Sequence, residues 1–261
     1  MNWSYFTTFA VISSILWITG ALIAWKKRNV QIAGIFTGLG LLVFFTFIIG
    51  LWISYKQPPM RTMGETRLWY SFFLSLVGLL TYIRWHYKWL LGFSTTMSIV
   101  FITINILKPE IHNRTLMPAL QSPWFAPHVT VYMFAYALLG AATLVTIYLL
   151  WFNHSKDKDK KMLMCDNLVQ FGVSFLTLGL LSGAVWAKGA WGHYWSWDPK
   201  ETWAAITWFT YLFYIHYRLI HPKEYRFALY ILLLAFILLQ VCWWGINFLP
   251  SARGISVHSY G

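Results

Sequence analysis

The chain has 261 residues, of which 58% are hydrophobic, 20% aromatic and 11% charged, and its net charge is +12. An average soluble domain carries about 25% charged residues. The composition therefore excludes an ordinary soluble globule and excludes disorder, and it makes lipid the expected solvent for most of the chain. Two cysteines, Cys165 and Cys242, are too few for a disulfide scaffold or a zinc ribbon, and no C-x-x-C-H segment occurs, so the chain is not a c-type cytochrome.

Apolar runs long enough to span a bilayer follow one another along the chain. They predict an all-α polytopic integral membrane protein of about eight helices: Tyr5–Trp25, Ile32–Ser54, Leu68–Ile83, Trp89–Leu107, His128–Phe152, Leu168–Ala187, Thr202–Tyr217 and Phe227–Leu249. The runs are continuously apolar rather than alternating, which argues against a membrane barrel. No internal repeat is evident, and the connections are too small for a soluble domain. The chain reads as one integral-membrane domain, 1–261. The first run has no basic segment before it and a basic cluster after it, so it reads as a spanning helix rather than a signal peptide.

Eight spans put both termini on one side, and Lys and Arg decide which. One set of connections holds twelve: Lys26, Lys27, Arg28, Arg84, Lys88, Lys156, Lys158, Lys160, Lys161, Arg218, Lys223 and Arg226. The other holds eight: Lys56, Arg61, Arg67, Lys108, Arg114, Lys188, Lys200 and Arg253. The first set is expected inside, with both termini on the outer face. The positive charge is then a topology signal, with no nucleic-acid partner expected.

The longer outer connections collect the unusual residues. From Trp186 to Trp203 the chain reads WAKGAWGHYWSWDPKETW, with five Trp in eighteen residues (186, 191, 195, 197 and 203). An interfacial aromatic belt explains one or two Trp at a helix end. Five on a connection containing Gly189, Gly192 and Pro199 suggest a platform for a flat apolar ligand, because indole rings stack on other π-systems. Asp198 precedes Pro199 at the expected start of the seventh helix, where it caps the helix or touches a ligand. Glu201 would favour the dipole of the first turn.

Of the histidines, His86, His154 and His221 lie in inner connections and His112 in a polar outer loop. His128, after QSPWFAP, and His258, in ISVHSYG, both reach the outer face. Each alone suits an interfacial position, yet two imidazoles flanking an aromatic platform could supply both axial ligands of a haem iron. His216 lies fifteen residues after Glu201, about 22 Å deeper on a continuous helix. There it is either an intramembrane functional residue or a snorkelling side chain close to Arg218. Arg253, Lys200 and Lys188 are the nearest outer cations for haem carboxylates. In the outer stretch YKQPPMRTMGETR, Glu65 could brace the platform, but a solvated turn made by Pro58 and Pro59 is the preferred expectation.

The segment WGHYWSWDPKETWAAITWFTYLFYIHYR resembles the tryptophan-rich WWD signature of haem-handling proteins, and most closely the CcsA (ResC) family of system II cytochrome c maturation. PALQSPWFAPHV and SARGISVHSYG fit the same family. The resemblance is strongest over about 117–261, which becomes the expected haem-handling core. It implies that the protein carries haem b to the outer face and presents it for thioether attachment to the C-x-x-C-H motif of apocytochrome c. His128 and His258 would correspond to the external haem ligands and His216 to the intramembrane one. Trp191, Gly192, Trp195, Trp197 and Asp198 would form the core of the platform. The implied partner is a CcsB (ResB) protein, with this chain the CcsA half of a synthase (haem lyase) or a fragment of a fusion. The implied membrane is the bacterial inner membrane, or the thylakoid in a plastid, with the working face extracytoplasmic. A rival reading is a bis-His haem protein that passes electrons across the membrane, and a third is a transporter that binds no haem.

Overall fold

The computed structural model describes residues 1–26, 29–60, 62–109, 122–151 and 158–249. Eight α-helices account for nearly all of them: α1 (Phe6–Lys26), α2 (Val30–Tyr55), α3 (Met63–Trp85), α4 (Lys88–Leu107), α5 (Phe125–Trp151), α6 (Lys158–Trp191), α7 (Pro199–Ile220) and α8 (Tyr225–Trp243). Among the described residues seven of these, all but α7, are long and apolar enough to cross a membrane. α7 is long enough at 22 residues, but its first turn carries Lys200 and Glu201 and its last carries Arg218. The all-helical, multi-pass architecture agrees with the pattern of apolar runs.

The helix ends show why the chain breaks where it does. Asn29 caps α2 by accepting from the Ile32 amide at 3.0 Å. Thr62 and Glu65 form a reciprocal capping box at the start of α3. Lys56 and His86 close α2 and α3 in the left-handed conformation. α3 thus begins five residues earlier than its apolar run, because the capping box satisfies amides that polarity alone would have left to a loop. Glu65, expected in a solvated turn, is fully buried instead, with its carboxylate accepting from the Thr62 amide at 3.2 Å. α6 departs furthest from expectation. Its 34 residues rise about 51 Å, longer than the roughly 30 Å hydrocarbon core, so its polar beginning continues the helix outside the apolar stretch.

The chain divides into two compact units, 1–121 and 122–261. Within the first, α1 packs on α2 and α4, and α3 packs on α2 and α4. Within the second, α5 packs on α6 and α8, and α7 packs on α6 and α8. Each unit is therefore a four-helix ring with neighbours in chain order, as short connections between antiparallel helices require. Polar staples hold the first unit internally: Ser98 Oγ donates to the Ser71 carbonyl at 2.8 Å, and Asn105 Nδ2 to the Gly64 carbonyl at 3.0 Å. In lipid, where apolar contact gives no net drive between helices, such bonds and close small-residue packing hold helices together.

Candidate functional site

His128 lies on the first turn of α5 and is gripped on three sides. Its ring stacks on Trp186 of α6, with centroids 5.4 Å apart and planes at 25°. Tyr132, one turn along α5, meets it edge-on at 4.6 Å. Its Nδ1 lies 2.8 Å from the Gly179 carbonyl. A carbonyl oxygen only accepts, so Nδ1 carries a proton and donates it to Gly179. This is the arrangement by which a second bond orients a metal-binding imidazole and fixes its tautomer.

Glycine makes the grip possible. A Cβ at Gly183 would stand 2.6 Å from His128 Cε1 and 2.7 Å from Nδ1. One at Gly179 would stand 2.8 Å from the Tyr132 ring. The two glycines are four residues apart, so they clear one stripe of α6 for the α5 imidazole and phenol.

The aromatic cluster continues from Trp186 to the loop. Trp186 is buried and packs on Phe125 at 5.4 Å and on Trp191 at 4.8 Å. α6 ends at Trp191, and Gly192 takes a φ of +87° while its amide donates to the Lys188 carbonyl at 3.1 Å. This is a glycine C-cap. Lys188 Nζ donates to the Gly192 carbonyl at 2.7 Å and sits 5.5 Å from the centroid of the Tyr194 ring. A Cβ at Gly192 would meet nothing within 4 Å, so only the backbone angle demands glycine. Gly192→Ala is therefore expected to cost about 1–2 kcal/mol, read as a lower melting temperature with the site's aromatic contacts intact.

Residues 192–198 form the loop to α7. Trp197 takes the left-handed conformation, φ 58°, and is 70% exposed. A bulky residue there stores strain of order 1–3 kcal/mol and persists only where neighbours over-determine it. Glu201 does this: its Oε2 accepts from the amides of Ser196 at 2.8 Å and Asp198 at 3.2 Å, on either side of Trp197. Thr202 Oγ1 donates to the Trp197 carbonyl at 3.2 Å. Asp198, itself buried, caps α7 by accepting from the Lys200 amide at 2.8 Å, and with Glu201 completes a second capping box. The two acids thus hold the loop that displays Trp197. Trp195 meets Trp197 edge-on at 5.7 Å, and its Nε1 is buried with no hydrogen-bond partner.

The cytochrome C assembly protein family matches this chain over residues 2–252. The chain belongs to that family. Among its relatives, the "Cytochrome c biogenesis protein CcsA" of Chlamydomonas reinhardtii is 33% identical over 90% of this chain and 69% of its own length. The protein of the same name from Amborella trichopoda is 30% identical over 97% of this chain and 94% of its own. The one from Solanum tuberosum is 32% identical over 85% and 84%.

In this member of the cytochrome c assembly family, the expected site residues fall into three groups. His128 and Trp191 belong to one cluster through Trp186. Gly192, Trp195, Trp197 and Asp198 form the loop and the cap beyond it. His216 stands apart on an exposed face of α7, with Nδ1 2.8 Å from the Leu212 carbonyl. His258, Arg253 and His112 lie outside the described residues.

The five Trp do not share one connection, as the sequence suggested. Trp186 and Trp191 are on α6, Trp203 is on α7, and only Trp195 and Trp197 are on the loop. Gly189, which looked like a helix breaker, is absorbed within α6. Sequence reasoning also passed over Gly179, Gly183 and Tyr132. The signal was there as a G-x-x-x-G spacing, which in lipid marks close helix approach.

Proposed function

We propose that this chain presents haem at the outer face of a membrane for thioether attachment to apocytochrome c, acting as the CcsA half of a two-part synthase. Family membership places it in cytochrome c maturation, and haem handling is the proposed share of that work. The observation that carries the finer reading is His128: an Nδ1–H held by the Gly179 carbonyl, a ring held between Trp186 and Tyr132, and a link through Trp186 to Trp191 at the end of α6. An imidazole oriented by an Nδ1–H bond to a carbonyl is the arrangement found for haem- and metal-ligating histidines. The buried Trp195 N–H is a donor for an acceptor that the bound molecule would bring.

On this reading haem b is the substrate. His128 and His258 are its external ligands and His216 receives it deeper in the membrane, while Trp191, Gly192, Trp195, Trp197 and Asp198 build and brace the platform. Each cysteine thiol of apocytochrome c adds across a haem vinyl group, forming a carbon–sulfur bond, with the proton ending on the neighbouring carbon. The chain's own share is positioning. The partner is a CcsB-like protein, both chain termini face outward, and the membrane is the bacterial inner membrane or its thylakoid counterpart.

Co-expression of this chain with a CcsB-like partner and a reporter apocytochrome, in a host lacking its own maturation system, tests the proposal. Covalent haem on the reporter is expected only when this chain is present. Equal yield without it, or a permanently bound b-type haem with no covalent product, overturns the proposal, the latter in favour of an electron carrier.

A further inference from the structure

The first unit contains a groove between α1 and α4 of about 550 Å³, within the range of small-molecule sites. Ile18, Leu22, Ile99 and Val100 give it apolar walls. Two features set it apart from an ordinary seam between membrane helices. Thr95 lines it, is 4% exposed, and its hydroxyl has no hydrogen-bond partner. Other threonines of α4 return their hydroxyls to the helix: Thr96 donates to the Gly92 carbonyl at 2.9 Å and Thr103 to the Ile99 carbonyl at 2.8 Å. A buried hydroxyl without a partner is costly unless something supplies one.

The second feature is charge. Lys88 Nζ sits 4.5 Å from the centroid of the Trp25 ring, and Trp25 itself leans against Gly92, where a Cβ would stand 3.2 Å from its Nε1. Lys88 opens α4, so the positive end of the helix dipole adds to its charge. Lys26 closes α1 at its last turn, and neither α1 nor α4 contains an Asp or Glu. From Gly92 to Thr95 is about 4.5 Å along the helix. Cation, aromatic ring, buried hydroxyl and apolar walls therefore follow one another in the order of an anionic amphiphile: charged head, polar ester, hydrocarbon chain.

We propose that this groove is a binding site for one anionic glycerophospholipid. Its phosphate lies at Lys88 and Trp25, an ester carbonyl accepts from Thr95, and an acyl chain fills the groove. A transmembrane helix of a partner suits the site less well, because its carbonyls are already bonded within itself and it brings no anion to Lys88.

The test is native mass spectrometry of the purified full chain offered equimolar phosphatidylglycerol and phosphatidylcholine. One phosphatidylglycerol is expected to be retained in preference. Lys88→Gln should lower that retention about fivefold, the worth of one cation near an anionic headgroup. Thr95→Val should lower retention while raising the melting temperature of the lipid-stripped protein, since it removes an unsatisfied buried hydroxyl. Thr46→Val on α2, outside the groove and with its hydroxyl bonded to the Leu42 carbonyl at 2.8 Å, should change neither. Equal retention of the two lipids, unchanged retention in Lys88→Gln, or Thr95→Val moving retention and stability in the same direction overturns the proposal. A co-purifying transmembrane peptide in place of the lipid also overturns it.

Discussion

Gly183→Ala is expected to remove most haem binding while leaving every proposed ligand in the chain. The added methyl would stand 2.6 Å from His128 Cε1 and 2.7 Å from Nδ1, inside van der Waals contact. The ring cannot yield easily, because Trp186 covers one face, Tyr132 meets it edge-on, and Nδ1 is tied to the Gly179 carbonyl at 2.8 Å. Moving the imidazole breaks at least the hydrogen bond that fixes its tautomer. Loss of such an orienting partner costs a metal site about 10–100-fold. Helix propensity moves the other way, since alanine favours helix over glycine by about 1 kcal/mol. A folded protein with little haem is the expected result.

Absorption spectra and covalent haem on a reporter apocytochrome read that outcome. His128→Ala should match or exceed the loss, and exogenous imidazole should restore part of the spectrum in His128→Ala but not in Gly183→Ala, where the ring still fills the space. Gly189→Ala on the same helix is the control, since its nearest neighbour would be Ser122 Oγ at 3.8 Å. Wild-type haem content in Gly183→Ala would remove His128 from the proposed role.

These contacts also mark the boundary of what the sequence could show. The eight helices were legible because lipid demands long apolar runs, and the Asp198 cap was legible because Asp-Pro followed two residues later by Glu has a local meaning. Glu65 followed the same logic, but the prolines just before it drew attention to a turn and away from the box with Thr62. The Trp segment was misplaced because glycine is weak evidence for a helix end: Gly189 stays in α6 and Gly192 ends it, a distinction made by tertiary support and a single φ angle. Trp186 consequently belongs with His128 rather than with the loop. The division into two four-helix units was illegible because it depends on which helices pack, and apolar runs look alike whichever neighbour they meet.

The other large effect is expected at the opposite end of the α6–α7 pair. Arg218 Nη2 and Nε reach the two carboxylate oxygens of Asp166 at 2.9 and 3.1 Å, and the Tyr214 hydroxyl donates to the same carboxylate at 2.7 Å. The two charges are largely covered, at 12% and 18% exposure. Removing one member of such a pair leaves the other buried and unbalanced, at a cost of about 3–5 kcal/mol. Asp166→Ala is therefore expected to lower the melting temperature sharply in detergent. Arg218 also donates to the Pro222 carbonyl at 2.7 Å, so the loss extends to the turn between α7 and α8. The double variant Asp166→Leu with Arg218→Leu should recover part of the stability, because it leaves no charge unbalanced, while the Tyr214 hydroxyl still loses its 2.7 Å acceptor. A double variant no more stable than Asp166→Ala would show that the pair contributes more than mutual neutralisation. His216 lies two residues before Arg218, on the part of α7 that this pair fixes to α6. If the inner haem ligand is His216, the double variant should change the haem spectrum beyond what its lost stability explains, because the bidentate tether two residues from His216 is gone.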